Sequence, residues 1–209
     1  MTAPPTAPVS TPLVAVSPGN PCPFLRALVA GGWLHNDVDR LTKVRDTIVQ
    51  VSGQQVPGGA ILAIAAIANG LSPAALLRNV REGLHLSALR DGPLDKHGSG
   101  SRILDAHGQF QPEELDRLAT FASLKRTLHG ISELGLSLPE VTAMVDANFE
   151  RALGTRRRVD RALMNGEWPV LLKFMGKDDT NGKRYLSVDE VRTLFQERRL
   201  PERMAAQLG

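Results

Sequence analysis

The chain has one cysteine, one tyrosine, two tryptophans and six phenylalanines among 209 residues. An internal disulfide is therefore excluded, and an aromatic-rich core with it. No Lys or Arg precedes Arg26, so the opening lacks the basic region of a secretory signal. No Asn-X-Ser/Thr sequon occurs. The most apolar run, Ala60 to Ala68, is far shorter than the roughly 20 residues that span a bilayer. Charge is nearly balanced, 25 basic residues against 22 acidic ones, which argues against the basic stripe of a nucleic-acid binder. The one dense basic cluster, Arg156-Arg157-Arg158, is followed by Asp160 and reads as a solvated helix start. These absences lead to the expectation of a cytoplasmic, prokaryotic protein with neither nucleic acid nor membrane as partner. They leave its oligomeric state open.

What is present is helical periodicity. Residues 1–20 carry five of the fourteen prolines and no charge, and read as an extended arm. From Pro21 onward strand signals are sparse, and helices are expected over 23–30, 37–52, 58–69, 73–83, 112–128, 139–152, 157–175 and 187–198. The predicted fold is all-α, a single compact domain over 21–209, with no internal repeat evident. Asp37 and Ser72 suit N-caps, Pro112 suits a first turn, and Ser187-Val188-Asp189-Glu190 reads as a capping box. The 58–69 segment is apolar on every side and is expected at the centre. Residues 87–111, rich in Gly, Ser, His and Asp, form a loop long enough to suggest a functional role.

Three constellations carry possible chemistry. Cys22 lies in Pro21-Cys22-Pro23 at the mouth of an apolar helix. Pro23 suits the first helical position, which puts Cys22 near the N-cap, where unpaired N–H groups and the helix dipole favour a thiolate. Packing, metal ligation and nucleophilic chemistry all stay open for it. The second is Asp95-Lys96-His97-Gly98-Ser99-Gly100-Ser101-Arg102, with Asp105 and Gly108 beyond, whose acids and hydroxyls suit a hard cation or an ordinary turn. The third is Glu167, with Leu163, Val170, Leu171 and Phe174 at helical spacing on its face. A carboxylate there is either a desolvated acid–base or the partner of a buried cation, and Pro169 kinks its helix. The Asp178–Glu190 stretch fails as a calcium loop, because with Gly182 at the sixth position Lys177 and Val188 fall at the two ends.

Taken in order, these segments resemble the haem-thiolate peroxidase family of chloroperoxidases and unspecific peroxygenases. Pro21-Cys22-Pro23-Phe24-Leu25-Arg26-Ala27-Leu28 matches the proximal Pro-Cys-Pro motif, and Asp95 to Arg102 aligns with Glu-His-Asp or Glu-Gly-Asp followed by X-Ser-X-Ser-Arg. Gly166-Glu167 to Gly176 and Phe195-Gln196-Glu197-Arg198-Arg199-Leu200-Pro201 match the closing motifs. The resemblance implies a chloroperoxidase-like helical fold holding haem b, with Cys22 as axial iron ligand flanked by Pro21 and Pro23, and Glu167 as distal acid–base. Hydrogen peroxide and a small organic substrate would be the partners. The chain departs from the family at Asp95 (for Glu), Lys96 (for His) and His97 (for Asp). Lys96 then either shares in the distal proton relay or neutralises a haem propionate, and a Mg²⁺ ion held by Asp95 and Ser99 is the alternative. A non-catalytic haem sensor or carrier on the same fold is the rival reading. Phe121, Leu124 and Met144 are the residues expected along a substrate channel.

Overall fold

The computed structural model describes residues 14–90, 92–93, 95, 101–105, 107–152 and 160–209, except for the side chains of 152 and 160–167. Proline sets several helix starts, because its fixed φ suits the first turn and its missing N–H would be unpaired there anyway. It opens α1 (Pro23–Ala30), α4 (Pro73–Glu82) and α5 (Pro112–Ala119). The Ser72 hydroxyl caps α4 by accepting the Ala75 N–H at 3.2 Å. The other helices are α2 (Leu41–Val51), α3 (Gly58–Ile67), α6 (Leu138–Ala152), α7 (Asp160–Met175), α8 (Val188–Gln196) and α9 (Glu202–Ala205). Among the described residues no helix is long and apolar enough to cross a membrane.

The fold is mixed, which corrects the all-α expectation. Strands β1 (Val38–Asp39) and β2 (Leu84–His85) pair antiparallel. Strands β3 (Ser123–Arg126), β4 (Ser132–Ser137), β5 (Lys177–Asp178) and β6 (Arg184–Ser187) form an antiparallel sheet in the order β3-β4-β6-β5. The helix expected over 112–128 thus ends at Ala119 and gives way to β3. The start expected at Asp37 moves to Leu41, because the Asp37 carbonyl accepts the Leu86 N–H at 2.7 Å beside the β1–β2 pair.

Register explains the larger sheet. β4 pairs with β6 symmetrically about Leu136 and Leu186, with Gly135 opposite Ser187 and Ser137 opposite Tyr185. Each strand runs straight into a helix through the same pattern, Leu136-Ser137-Leu138-Pro139-Glu140-Val141 and Leu186-Ser187-Val188-Asp189-Glu190-Val191. Two strand–helix units therefore face each other across a local dyad, a short repeat that sequence inspection misses. Their caps differ. Glu140 accepts both the N–H and the hydroxyl of Ser137 at 2.6 Å, closing one side of a capping box. The Ser187 hydroxyl instead donates to Glu133 at 3.1 Å, so the capping box expected at Ser187 does not form.

The core gathers α1, α8, the sheet's inner face (Leu136, Leu186) and the buried residues of α6 and α7. The α3 helix is not central: Ile61 and Ala65 are buried, whereas Ile64 faces outward. Within α4 only Asn79 is buried, and its amide donates to the Ala66 carbonyl at 2.8 Å. That polar anchor turns Leu77 and Val80 away from the core. Residues 14–20 dock on the body: Val14 donates to the Ala30 carbonyl at 3.0 Å and Ser17 to Asn36 Oδ1 at 2.7 Å. Residues 1–13 of the expected arm, and Arg156-Arg157-Arg158, lie outside the described residues.

Candidate functional site

The site begins with an Asx turn. The Cys22 N–H donates to Asn20 Oδ1 at 3.2 Å, and the Cys22 carbonyl accepts the Arg26 N–H at 2.9 Å to start α1. Cys22 is the N-cap residue, in extended geometry, with Pro23 behind it, as the sequence predicts. Its side chain does not cap the helix, and it is half-buried against the core. The sulfur sits at the positive end of the helix dipole.

Arg26 is the residue that sequence reasoning missed here. It is 4% exposed although it stands in an otherwise apolar helix, and that lone charge in Phe24–Ala30 was the available signal. Its Nη1 donates to the Ser17 and Asn20 carbonyls at 3.1 and 3.0 Å, and its Nη2 to the Gly108 carbonyl at 3.2 Å. The guanidinium therefore ties the segment leading into Cys22 to the loop at 108. Gly108 permits this approach, with φ of +71° and room for no Cβ, which would lie 2.9 Å from Nη1. Burial, with Arg198 and Arg90 nearby, pushes the Arg26 pKa below its ordinary value, and the charge of Cys22 opposes that shift. A positive charge beside a cysteine favours its thiolate over its thiol, and Arg26 supplies that charge.

The loop segments give a different picture from the expectation. Asp95 lies 3.8 Å from the Arg90 guanidinium, whose Nη2 also donates to the Pro18 and Asp105 carbonyls at 3.3 and 3.4 Å. The Asp105 carboxylate accepts the N–H groups of Gln109 and His107, both at 2.8 Å, and these hold its pKa below the usual range. It closes a turn. Among the described residues no three His, Cys, Asp or Glu side chains gather as a cation site. Lys96, His97 and Ser99 lie outside the described residues.

Glu167 sits in α7, and its side chain lies outside the described part of the molecule. Of the apolar residues expected on its face, Leu171 is buried and Val170 and Phe174 are half-buried; Trp168 and Leu172 are buried beside them, and Pro169 stands inside the helix. Phe174 stacks on Phe24 with centroids 5.7 Å apart, which packs the helix of Glu167 against the helix that Cys22 opens. The channel residues do not converge. Met144 is core, Phe121 is half-buried beneath the Arg117 guanidinium, and Leu124 points outward from β3. Comparison with family models and with curated proteins finds no match to this chain.

Proposed function

We propose that the chain is a haem-thiolate peroxidase or peroxygenase, in which Cys22 would hold the haem iron through its sulfur and Glu167 would act as the acid–base. One observation carries the reading: the only cysteine stands at a helix N-terminus, does not cap it, and lies beside a buried arginine. The donor chemistry fits haem, since iron needs one thiolate from the protein and Cys22, at a helix N-terminus beside Arg26, is the residue that could supply it. When bound, the haem supplies the redox chemistry that splits the O–O bond of hydrogen peroxide, one oxygen leaving as water and the other passing to a small organic substrate. The Glu167 carboxylate takes a proton from the peroxide and returns it to the departing oxygen. Arg26 and Asn20 hold the Cys22 turn in shape. A cytoplasmic setting, where a lone thiol stays reduced, suits this chemistry.

The test is spectroscopic. The full chain loaded with haem should give a strongly red-shifted Soret band after reduction and carbon monoxide, and Cys22→Ala should lose it. Glu167→Gln should keep the band and lose peroxide-dependent dye oxidation by about a hundredfold or more. Unchanged turnover in Glu167→Gln removes the role given to that residue. The second reading, a haem carrier without turnover, draws on Asp95, which is paired with Arg90. An intact Soret band with no peroxide-dependent oxidation in the wild type would favour it.

A further inference from the structure

We infer that the β3–β4 hairpin is a docking surface for an anionic lipid bilayer. Leu124 and Leu134 are cross-strand partners, 72% and 44% exposed. In the turn between the strands Leu128 and Ile131 are 71% and 66% exposed, and Leu138, 54% exposed, opens α6 just beyond β4. This apolar face starts in the core at Leu136, which is fully buried, and runs off the edge of the body. A soluble edge strand ordinarily carries charge on such a face. Here five large aliphatic side chains stand in solvent within one short segment.

Charge complementarity decides the occupant. Residues 123–132 contain Lys125, Arg126 and His129 and no acid. Lys125 is held by Glu140 at 2.8 Å, whereas among the described residues the side chains of Arg126 and His129 enter no ion pair. The β5–β6 turn docks beside them, with the Thr180 N–H donating to the Arg126 carbonyl at 3.0 Å, and adds the exposed Lys183. Aliphatic side chains at this turn, with Arg126 and Lys183 beside them and the nearby acids Glu140, Glu133 and Asp178 paired with Lys125, Lys177 and Arg184, match a surface of acyl chains beneath anionic headgroups. A second copy fits poorly. Symmetric pairing through this edge would bring Arg126 and His129 against their own counterparts, and the Arg126 carbonyl is already taken by Thr180. The absence of a spanning helix concerns crossing a bilayer, not resting on one.

Vesicle flotation of the full chain tests this, with phosphatidylcholine alone and mixed with phosphatidylglycerol. The protein should float with the mixed vesicles and not with phosphatidylcholine alone, and added salt should weaken the association. Arg126→Glu should weaken it about tenfold or more, since it removes one cation and adds one anion near the surface. Leu128→Asp with Ile131→Asp should abolish flotation and keep the wild-type circular dichroism, because both side chains are solvent-exposed. Leu77→Asp with Val80→Asp, on the exposed face of α4, should leave flotation unchanged. Equal binding to both vesicle types, or no loss in the Leu128/Ile131 variant, overturns the proposal. So does a concentration-dependent dimer in sedimentation that the same variant dissolves.

Discussion

Arg26 answers two demands with one side chain. Its guanidinium donates to the carbonyls of Ser17, Asn20 and Gly108, and it places positive charge beside Cys22. Replacing it with Met keeps the volume and the helix and removes three hydrogen bonds, two of them buried, so Arg26→Met should lower stability by about 3 kcal/mol in urea unfolding. Arg26→Lys should recover only part of that, because an ammonium lacks the planar fork that reaches all three. Glu140 gives a second prediction at this scale. Burial raises its pKa, but hydrogen bonds from Lys125, Ser123 and Ser137 outweigh it and bring the group from 4.5 to about 2. A carboxyl depressed in the folded state contributes stability above its unfolded pKa and loses it as pH falls through the folded one. Stability of the wild type should therefore drop between pH 4.5 and about 2, and Glu140→Gln should flatten that limb of the curve. Both residues were visible in the sequence, but their roles depend on partners far along the chain. Gly108 is 82 positions from Arg26, and Lys125 is 15 from Glu140.

At the level of elements, Gly135 is the point where β4 is most tightly constrained. A Cβ there would lie 2.3 Å from the Tyr185 ring and 2.8 Å from Lys125 Cγ. The lysine stem can move, but the ring cannot. Tyr185 is fully buried, its hydroxyl donates to Glu133 at 2.5 Å, and Lys177 meets the same carboxylate at 2.7 Å. Gly135→Ala should therefore cost about 2–3 kcal/mol, read as a lower midpoint in thermal unfolding with the sheet's ion pairs disturbed. This crowding also shows why the sheet was hard to read in advance. Its strands contain Ser, Glu, Gly, Lys and Arg in place of the β-branched residues that mark strands, so the periodicity of α5 reads straight through β3. What makes them strands is pairing across the dyad at Leu136 and Leu186, which is tertiary. Helices with local signals were legible: Pro23, Ser72 and Pro112 place their starts within a residue. The α3 helix failed for the opposite reason. Apolar side chains all round argue for burial, but only the neighbours decide it, and Asn79 anchors a surface helix there.

For the molecule as a whole, the site joins chain segments that are remote in sequence. The helix opened by Cys22 and the helix of Glu167 meet through Phe24 and Phe174, and Arg26, which lies beside Cys22, has Arg90 and Arg198 nearby. The placement of Cys22 at the start of its helix was legible. The way these segments pack was not, because it rests on a ring stack and on carbonyl contacts that no spacing encodes. A cofactor held by such a site binds only the assembled chain, so it must stabilise the whole fold. At about a hundredfold excess over its dissociation constant, a native-state ligand adds about 2.7 kcal/mol. For a chain of 209 residues that corresponds to a rise of about 5–10 °C in the thermal midpoint. Haem added to the full chain should produce that rise in proportion to the logarithm of its concentration. Cys22→Ala, with its half-buried side chain shortened by one sulfur, should unfold near the wild-type midpoint without haem and show little or none of the rise with it. A rise of equal size in both proteins would place haem elsewhere on the surface, and no rise in either would leave Cys22 without the iron assigned to it.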